Sequence, residues 1–297
     1  MFAVVAVACG EDSGSRGDVT VVATTTEVAD LVRRVGGSRV NVEGMLRPGG
    51  DPHDYEPRPS DVAAVADAAV VFRSGGEVDD WLNDVIENAG GDAKVVSLID
   101  SVRRLDDDPH WWQDATNGVR AVEAIRAELT KADPAGRATF ARNAERTIRT
   151  LDRLDRQIAA CIERVPPAKR KIVTTHDALG YFARRYGVEV VGAVIPSLST
   201  QAQASAGDVQ QLVDQIRREG VEAIFPESSV NPDIERAIAR EAGASIGDPL
   251  YADSLGPKGS AGETYTGALA ADAGALVRGM SAGRVNCDPA LRAALRS

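Results

Sequence analysis

The chain has 297 residues, 43% of them hydrophobic, which is enough to bury more than one core. Its net charge of −10, with no run of basic residues to offset it, excludes nucleic acid as a partner. Aromatic residues at 4% argue against stacked sugars or a flat protein-binding surface, and no stretch approaches the roughly 20 apolar residues of a membrane-spanning helix.

Residues 1–8 are apolar and end in small residues directly before Cys9-Gly10. Residues 11–18 are polar and aperiodic, as in a flexible tether. The arrangement resembles a bacterial lipoprotein box, with Ala6 where a larger aliphatic is usual. The expectation is an export signal cut before Cys9 and a lipid anchor on that cysteine. The basic segment that opens such signals is missing, which suggests a true start further upstream. With Cys9 lipidated, Cys161 and Cys287 remain. In an exported protein they form either a disulfide or two buried thiols.

A first strand is predicted over 19–24, then a helix over 27–35 stopped by Gly36-Gly37. A strand over 40–46 leads into a Pro- and Gly-rich loop over 47–59. Ser60 is the expected cap of the next helix. Strands over 69–72 and 94–98 flank a helix over 78–89. Such alternation reads as a mostly parallel sheet with helices on both faces.

The longest helical signal runs over 117–165 and is clearest from 134. Phe140, Ala144, Ile148, Leu151, Leu154, Ile158 and Ile162 recur three or four apart, as a buried helix face requires. Arg142, Arg149, Asp152, Arg153, Asp155 and Arg156 fall on the face expected to meet water. Asp133-Pro134 starts the second part and Pro166-Pro167 stops it. One such segment, flanked on both sides by strand–helix alternation, predicts a rigid strut between two α/β lobes. Beyond it, strands are predicted over 171–175, 188–194, 221–225 and 244–246, and helices over 177–186, 206–219, 232–242 and 264–280. The division expected is 1–18 signal remnant and tether, 19–116 N-terminal lobe, 117–165 helical segment, and 166–297 C-terminal lobe. The lobes share no residue-level repeat.

The three histidines, His53, His110 and His176, all fall in loops or at strand ends, where α/β folds place ligands. His53 and His110 each close an Asp-Pro-His triplet. Proline fixes the backbone before the imidazole, and a nearby carboxylate can hold its second nitrogen. Asp253 is a fourth candidate, although periodicity alone reads it as a loop carboxylate. Glu227 reads as a cap or salt-bridge partner before it reads as a carboxylate supporting a ligand from behind or as an extra ligand. Trp111 and Trp112 are expected to pack around the site, and Tyr55 and Glu56 to orient the His53 loop.

Four segments, in order, resemble the substrate-binding proteins of zinc and manganese ABC importers: Pro48-Gly-Gly-Asp-Pro-His53, Asp108-Pro-His110-Trp-Trp112, Thr175-His176-Asp-Ala-Leu-Gly180, and Phe225-Pro-Glu227 with Tyr251-Ala-Asp253. The resemblance implies two lobes bridged by one long helix, with metal held in the cleft by His53, His110, His176 and Asp253. It also implies delivery to an ABC permease and no enzymatic activity. Two features depart from the family pattern. Residues 103–109 are short and acidic where many zinc members carry a histidine-rich loop, and Trp111-Trp-Gln-Asp-Ala115 replaces the usual continuation. Three imidazoles and one carboxylate suit Zn2+ and other borderline ions better than Mg2+ or Ca2+. Histidine at the third position favours zinc, with Mn2+ open. Other readings are a zinc-dependent hydrolase and an adhesin lipoprotein with structural metal. A monomer is expected, and the strut's stiffness favours small lobe shifts over wide hinge closure.

Overall fold

The computed structural model describes residues 19–296. Cys9, its lipid and the tether therefore lie outside the described residues. The N-terminal half runs β1 (Val19–Ala23), α1 (Thr26–Gly36), β2 (Val40–Gly44), α2 (Pro59–Asp67), β3 (Val70–Arg73), α3 (Leu82–Ala89) and β4 (Lys94–Ser97). Two helices follow, α4 (Ala115–Ala132) and α5 (Arg137–Glu163). The C-terminal half runs β5 (Lys171–Thr174), α6 (Gly180–Tyr186), β6 (Glu189–Ala193), α7 (Ala206–Glu219), β7 (Ala223–Phe225), α8 (Asp233–Ala242), β8 (Ser245–Ile246), α9 (Tyr265–Met280) and α10 (Asp288–Ala294).

Each half builds a four-stranded parallel sheet, ordered β2-β1-β3-β4 and β6-β5-β7-β8. The second strand in sequence thus lies outside the first in both, so the two halves repeat a topology without repeating residues. The central strands are apolar runs because parallel strands covered on both faces cannot alternate with polar residues. Val21, Val22, Val71 and Phe72 are fully buried. In each sheet the chain reverses direction of winding beside the first strand. The carboxyl ends there open a crevice, where ligands collect in such folds.

The strut is α5, 27 residues and about 40 Å long. It starts at Arg137 because Pro134–Gly136 form a tighter turn, with the Asp133 carboxylate accepting from the Gly136 amide at 3.1 Å. Phe140, Ala144, Leu151, Leu154, Ile158 and Ile162 are buried as expected. They join one continuous core that reaches both halves, from Val21 and Leu31 to Tyr181 and Leu276. Smaller cores cover the outer faces of the two sheets. Asp155 departs from its expected solvated face. It is buried, accepting from Arg185 Nε at 2.9 Å and from the Tyr186 hydroxyl at 3.1 Å. Cys161, late on α5, is joined by a disulfide to Cys287, just before α10, with Cα atoms 6.0 Å apart.

Local chemistry moves several boundaries. Ser60 does not cap α2. Pro59 takes the first helical position, and the Asp61 carboxylate turns back to accept from the Arg58 amide at 2.7 Å. Residues 77–81 form a turn before α3 because the buried Asp79 carboxylate accepts from the amides of Ser74 at 2.7 Å and Gly75 at 3.1 Å. Helix α6 begins at Gly180, later than expected, since the Asp177 amide donates to Ser197 O at 2.9 Å instead of opening a helix. Among the described residues no helix is long and apolar enough to cross a membrane.

Candidate metal centre

His53 lies on the loop between β2 and α2. The Asp51 carboxylate accepts from the His53 amide at 2.9 Å, and Trp81 Nε1 donates to Pro52 O at 3.1 Å, so the loop is held from two sides. The Trp81 ring packs on Tyr55, 4.5 Å between centroids, which brings Tyr55 to bear on the loop. Glu56 is exposed. The second Asp-Pro-His triplet repeats the local device: Asp108 Oδ1 accepts from the His110 amide at 2.9 Å. In both, an aspartate bonding the backbone two residues on sets the turn that presents the imidazole. Asp108 Oδ1 also lies 2.7 Å from His110 Nδ1, which directs Nε2 to the centre. Asp51 acts differently, taking the Thr200 hydroxyl across the cleft at 2.7 Å.

His176 follows β5 at the crevice of the second sheet. Glu227, following β7, approaches its Nδ1 at 2.5 Å and its amide at 3.2 Å. Glu227 is itself placed by its amide donating to Thr175 Oγ1 at 3.1 Å, and Thr175 in turn donates to the buried Glu235 at 2.6 Å. Asp253 enters on a loop from the C-terminal half that is bonded into the N-terminal half. Ala252 O accepts from Trp112 Nε1 and Gln113 Nε2, both at 2.7 Å. Ser254 Oγ accepts from the Gly49 amide at 2.9 Å, and the Leu255 amide donates to Thr26 Oγ1 at 2.8 Å. Trp112 and Gln113, where the sequence leaves the family pattern, are thus the donors that fix the carboxylate's loop. Trp112 also packs edge-on to His110, 5.3 Å between centroids. Trp111 donates to Ser74 Oγ at 3.0 Å, further from the imidazoles.

The structure brings His53, His110, His176 and Asp253 together, with one donor atom from each lying within 4.8 Å of every other. Asp253 Oδ2 is 3.3 Å from His53 Nε2 and 3.2 Å from His176 Nε2; Oδ1 is 3.6 Å from His110 Nε2. His110 Nε2 and His176 Nε2 are 3.2 Å apart. Tetrahedral ligands at about 2.05 Å from one zinc stand roughly 3.3 Å from each other, so these spacings fit four ligands around a single ion. Both Asp253 oxygens and His53 Nε2 are buried without a hydrogen-bond partner. Leaving such atoms unpaired costs about 1–3 kcal/mol each, and a cation would satisfy all three.

The site is strongly polarised. Burial opposes charge on His176, yet the carboxylates of Asp253 and Glu227 outweigh it and hold its pKa well above the ordinary histidine range. Burial would raise Asp253, but the imidazoles of His176 and His110 keep it well below the usual carboxylate range. Glu227 is raised by burial against the pull of His176. Sequence reasoning missed Glu27 in the first turn of α1. Burial pushes it up to about 8, the Asp253 charge adds to the rise, and its Oε1 has no partner. A lone acidic residue opening an amphipathic helix carries no signal beyond favourable helix-dipole placement.

The family model described as ZnuA, zinc-uptake complex component A, periplasmic, matches residues 21–279. The manganese-binding lipoprotein MntA of Halalkalibacterium halodurans is 31% identical over 95% of this chain and 96% of its own length. MntA of Bacillus subtilis is 33% identical over 87% of this chain and 90% of its own. Among solved structures, the periplasmic zinc-binding protein TroA of Treponema pallidum superposes with a TM-score of 0.84 at 29% identity, covering 89% of this chain and all of that one. A Cd-bound periplasmic metal-binding protein of Candidatus Liberibacter asiaticus, 23% identical with a TM-score of 0.80, shares the fold. A family match over residues 21–279, and relatives above 30% identity over most of their length, place this chain in the family of periplasmic zinc-uptake component A proteins.

Proposed function

We propose that the chain is the extracytoplasmic substrate-binding component of an ABC metal importer. It captures a divalent transition metal in the cleft with His53, His110, His176 and Asp253 and hands it to a membrane permease. The observation that carries this reading is the convergence of three imidazole nitrogens and a carboxylate with unpaired buried atoms. Zinc is the favoured cargo, because an N3O set of neutral imidazoles and one carboxylate suits a borderline ion. Manganese is the second reading, favoured by two relatives that are named for manganese binding.

Capture replaces a proton on the imidazoles with metal, since only neutral imidazole binds. Asp108 and Glu227 hold the Nδ1 sides of His110 and His176, leaving the Nε2 lone pairs toward the ion. Release requires the Asp253 loop to part from Gln113, Trp112 and Gly49. The strut's packing against both halves favours small shifts at those bonds over a wide hinge. Four protein donors leave no ready position for a catalytic water, and Glu227, the obvious candidate base, is committed to His176. Both features support binding over hydrolysis.

We take the N-terminal lobe as 19–116, the helical segment as 117–165 and the C-terminal lobe as 166–297, in a monomer anchored through lipid on Cys9. Two acyl-type attachments would hold it stably, as one chain binds only marginally. Native metal analysis followed by zinc–manganese competition tests the cargo. Zinc displacing manganese at equal concentration is expected, and the reverse order would make manganese the cargo. Mass spectrometry of the mature terminus tests the anchor, and an unmodified Cys9 in the membrane-attached protein would reject it.

A further inference from the structure

A cavity of about 490 Å3 opens on the seam between the two halves, lined by Arg103, Arg104, Asp114, Thr116, Arg184 and Arg185. Four arginines and one aspartate thus line a single cavity in a chain whose net charge is −10. The sequence shows no basic run because the arginines come from two distant pairs that only folding assembles.

Arg185 and Asp114 are already engaged. Arg185 Nε donates to Asp155 at 2.9 Å and lies 3.9 Å from Asp114. The Thr116 amide and hydroxyl donate to Asp114 at 2.8 and 2.7 Å. Among the described residues, Arg103, Arg104 and Arg184 have no carboxylate partner. Arg184 lies over the Tyr181 ring, 5.4 Å from its centroid, with Nη1 3.5 Å from Arg104 O. Asp106 and Asp107, next in the same loop, do not line the cavity.

The backbone that carries these arginines is fixed. The Arg103 amide donates to Asn117 Oδ1 at 3.0 Å, and Asn117 Nδ2 donates back to Arg103 O at 3.3 Å. The Leu105 amide donates to the Tyr181 hydroxyl at 2.9 Å. Three arginines without a carboxylate partner, lining one cavity from two sides, offer the planar, multidentate donors with which arginine holds phosphate oxygens.

We propose that this arginine cleft binds a phosphate-class oxyanion, free or presented by a lipid headgroup, between Arg103 and Arg104 on one side and Arg184 on the other. The two sides belong to different halves. Arg103 and Arg104 precede the His110 loop, and Arg184 lies on α6, which follows His176. A bound oxyanion therefore ties the halves together beside the metal centre. The proposal stands on these residues alone, whichever metal the centre carries.

Calorimetric titration of the metal-free full chain with inorganic phosphate and with pyrophosphate, at ionic strength matched with sodium chloride, tests it. Co-sedimentation with phosphatidylglycerol vesicles is the lipid arm. The variant R104A/R184A removes one fork from each side, and R137A/R142A on the exposed face of α5 is the charge-matched control; circular dichroism checks both folds. Saturable binding in either arm is expected, weakened at least tenfold in R104A/R184A and unchanged in the control. A thermal midpoint raised by phosphate in the wild type and not in R104A/R184A is expected with it. Binding in the vesicle arm alone assigns the oxyanion to the lipid. No saturable binding in either arm, or equal weakening by both double variants, overturns the proposal.

Discussion

Replacing Glu227 by glutamine removes a charge from behind His176 while keeping an oxygen to accept its Nδ1 proton. Glu227 Oε1 lies 2.5 Å from that nitrogen, and the side chain is 2% exposed, so solvent does little to screen the pair. Loss of a carboxylate that orients a metal-binding imidazole typically costs 10–100-fold in affinity, about 1.4–2.7 kcal/mol. The burial here argues for the upper part of that range. The same substitution lowers the proton affinity of His176, which Asp253 and Glu227 hold above the ordinary range. Protons and metal compete for the ring, so the wild type gives up more affinity to protons than Glu227→Gln does. The deficit of Glu227→Gln should therefore be widest at high pH and narrow as pH falls. Zinc titration against a competing chelator at pH about 8 and about 6 reads both effects. An affinity and pH slope equal to the wild type would refute the claim that Glu227 acts through His176.

Three further outcomes follow from other parts of the fold. The Cys161–Cys287 bond spans a separation of 126 residues, so C161A/C287A should unfold more easily by about 2–5 kcal/mol in urea, and an unchanged midpoint would contradict a stabilising bridge. Burial raises Asp272 to about 8, so the folded chain keeps a proton that the unfolded chain releases above about 4. This group's contribution to stability should then fall as pH rises from about 4 to about 8 and level off beyond. Asp272→Asn should flatten that fall when urea unfolding is compared at pH about 5 and about 8; a slope identical to the wild type would place the pKa elsewhere. Gln113→Ala removes one of two donors to Ala252 O and should weaken metal binding by about 1 kcal/mol, seen as faster release in stopped-flow chelation, while an unchanged release rate would remove Gln113 from the positioning of Asp253.

The elements that periodicity governs were legible in the sequence. The apolar face of α5, the strand–helix alternation of both halves and the loop placement of all three histidines are local patterns that long-range packing reinforces. Asp155 was not legible, because its partners Arg185 and Tyr186 lie about thirty residues away and nothing local marks the pairing. The starts of α2 and α3 moved because Asp61 and Asp79 bond amides just before them, and that of α6 because the Asp177 amide donates to Ser197 O, bonds that a helical count does not contain. Helix α10 is too short to announce itself. The four donor residues could be named one by one, but the bonds that bring Asp253 across the cleft could not. Trp112 and Gln113 looked like departures from a pattern until the fold placed them against Ala252 O.

The central claim is that one metal ion is held by His53, His110, His176 and Asp253 together. Zinc titration of the wild type and of His53→Ala, His110→Ala, His176→Ala and Asp253→Ala, with circular dichroism on each, tests it most directly. The account predicts one tight site per chain in the wild type, a large loss of affinity in every single variant, and an intact fold throughout. Wild-type affinity in any folded variant would remove that residue from the site and contradict the four-ligand centre.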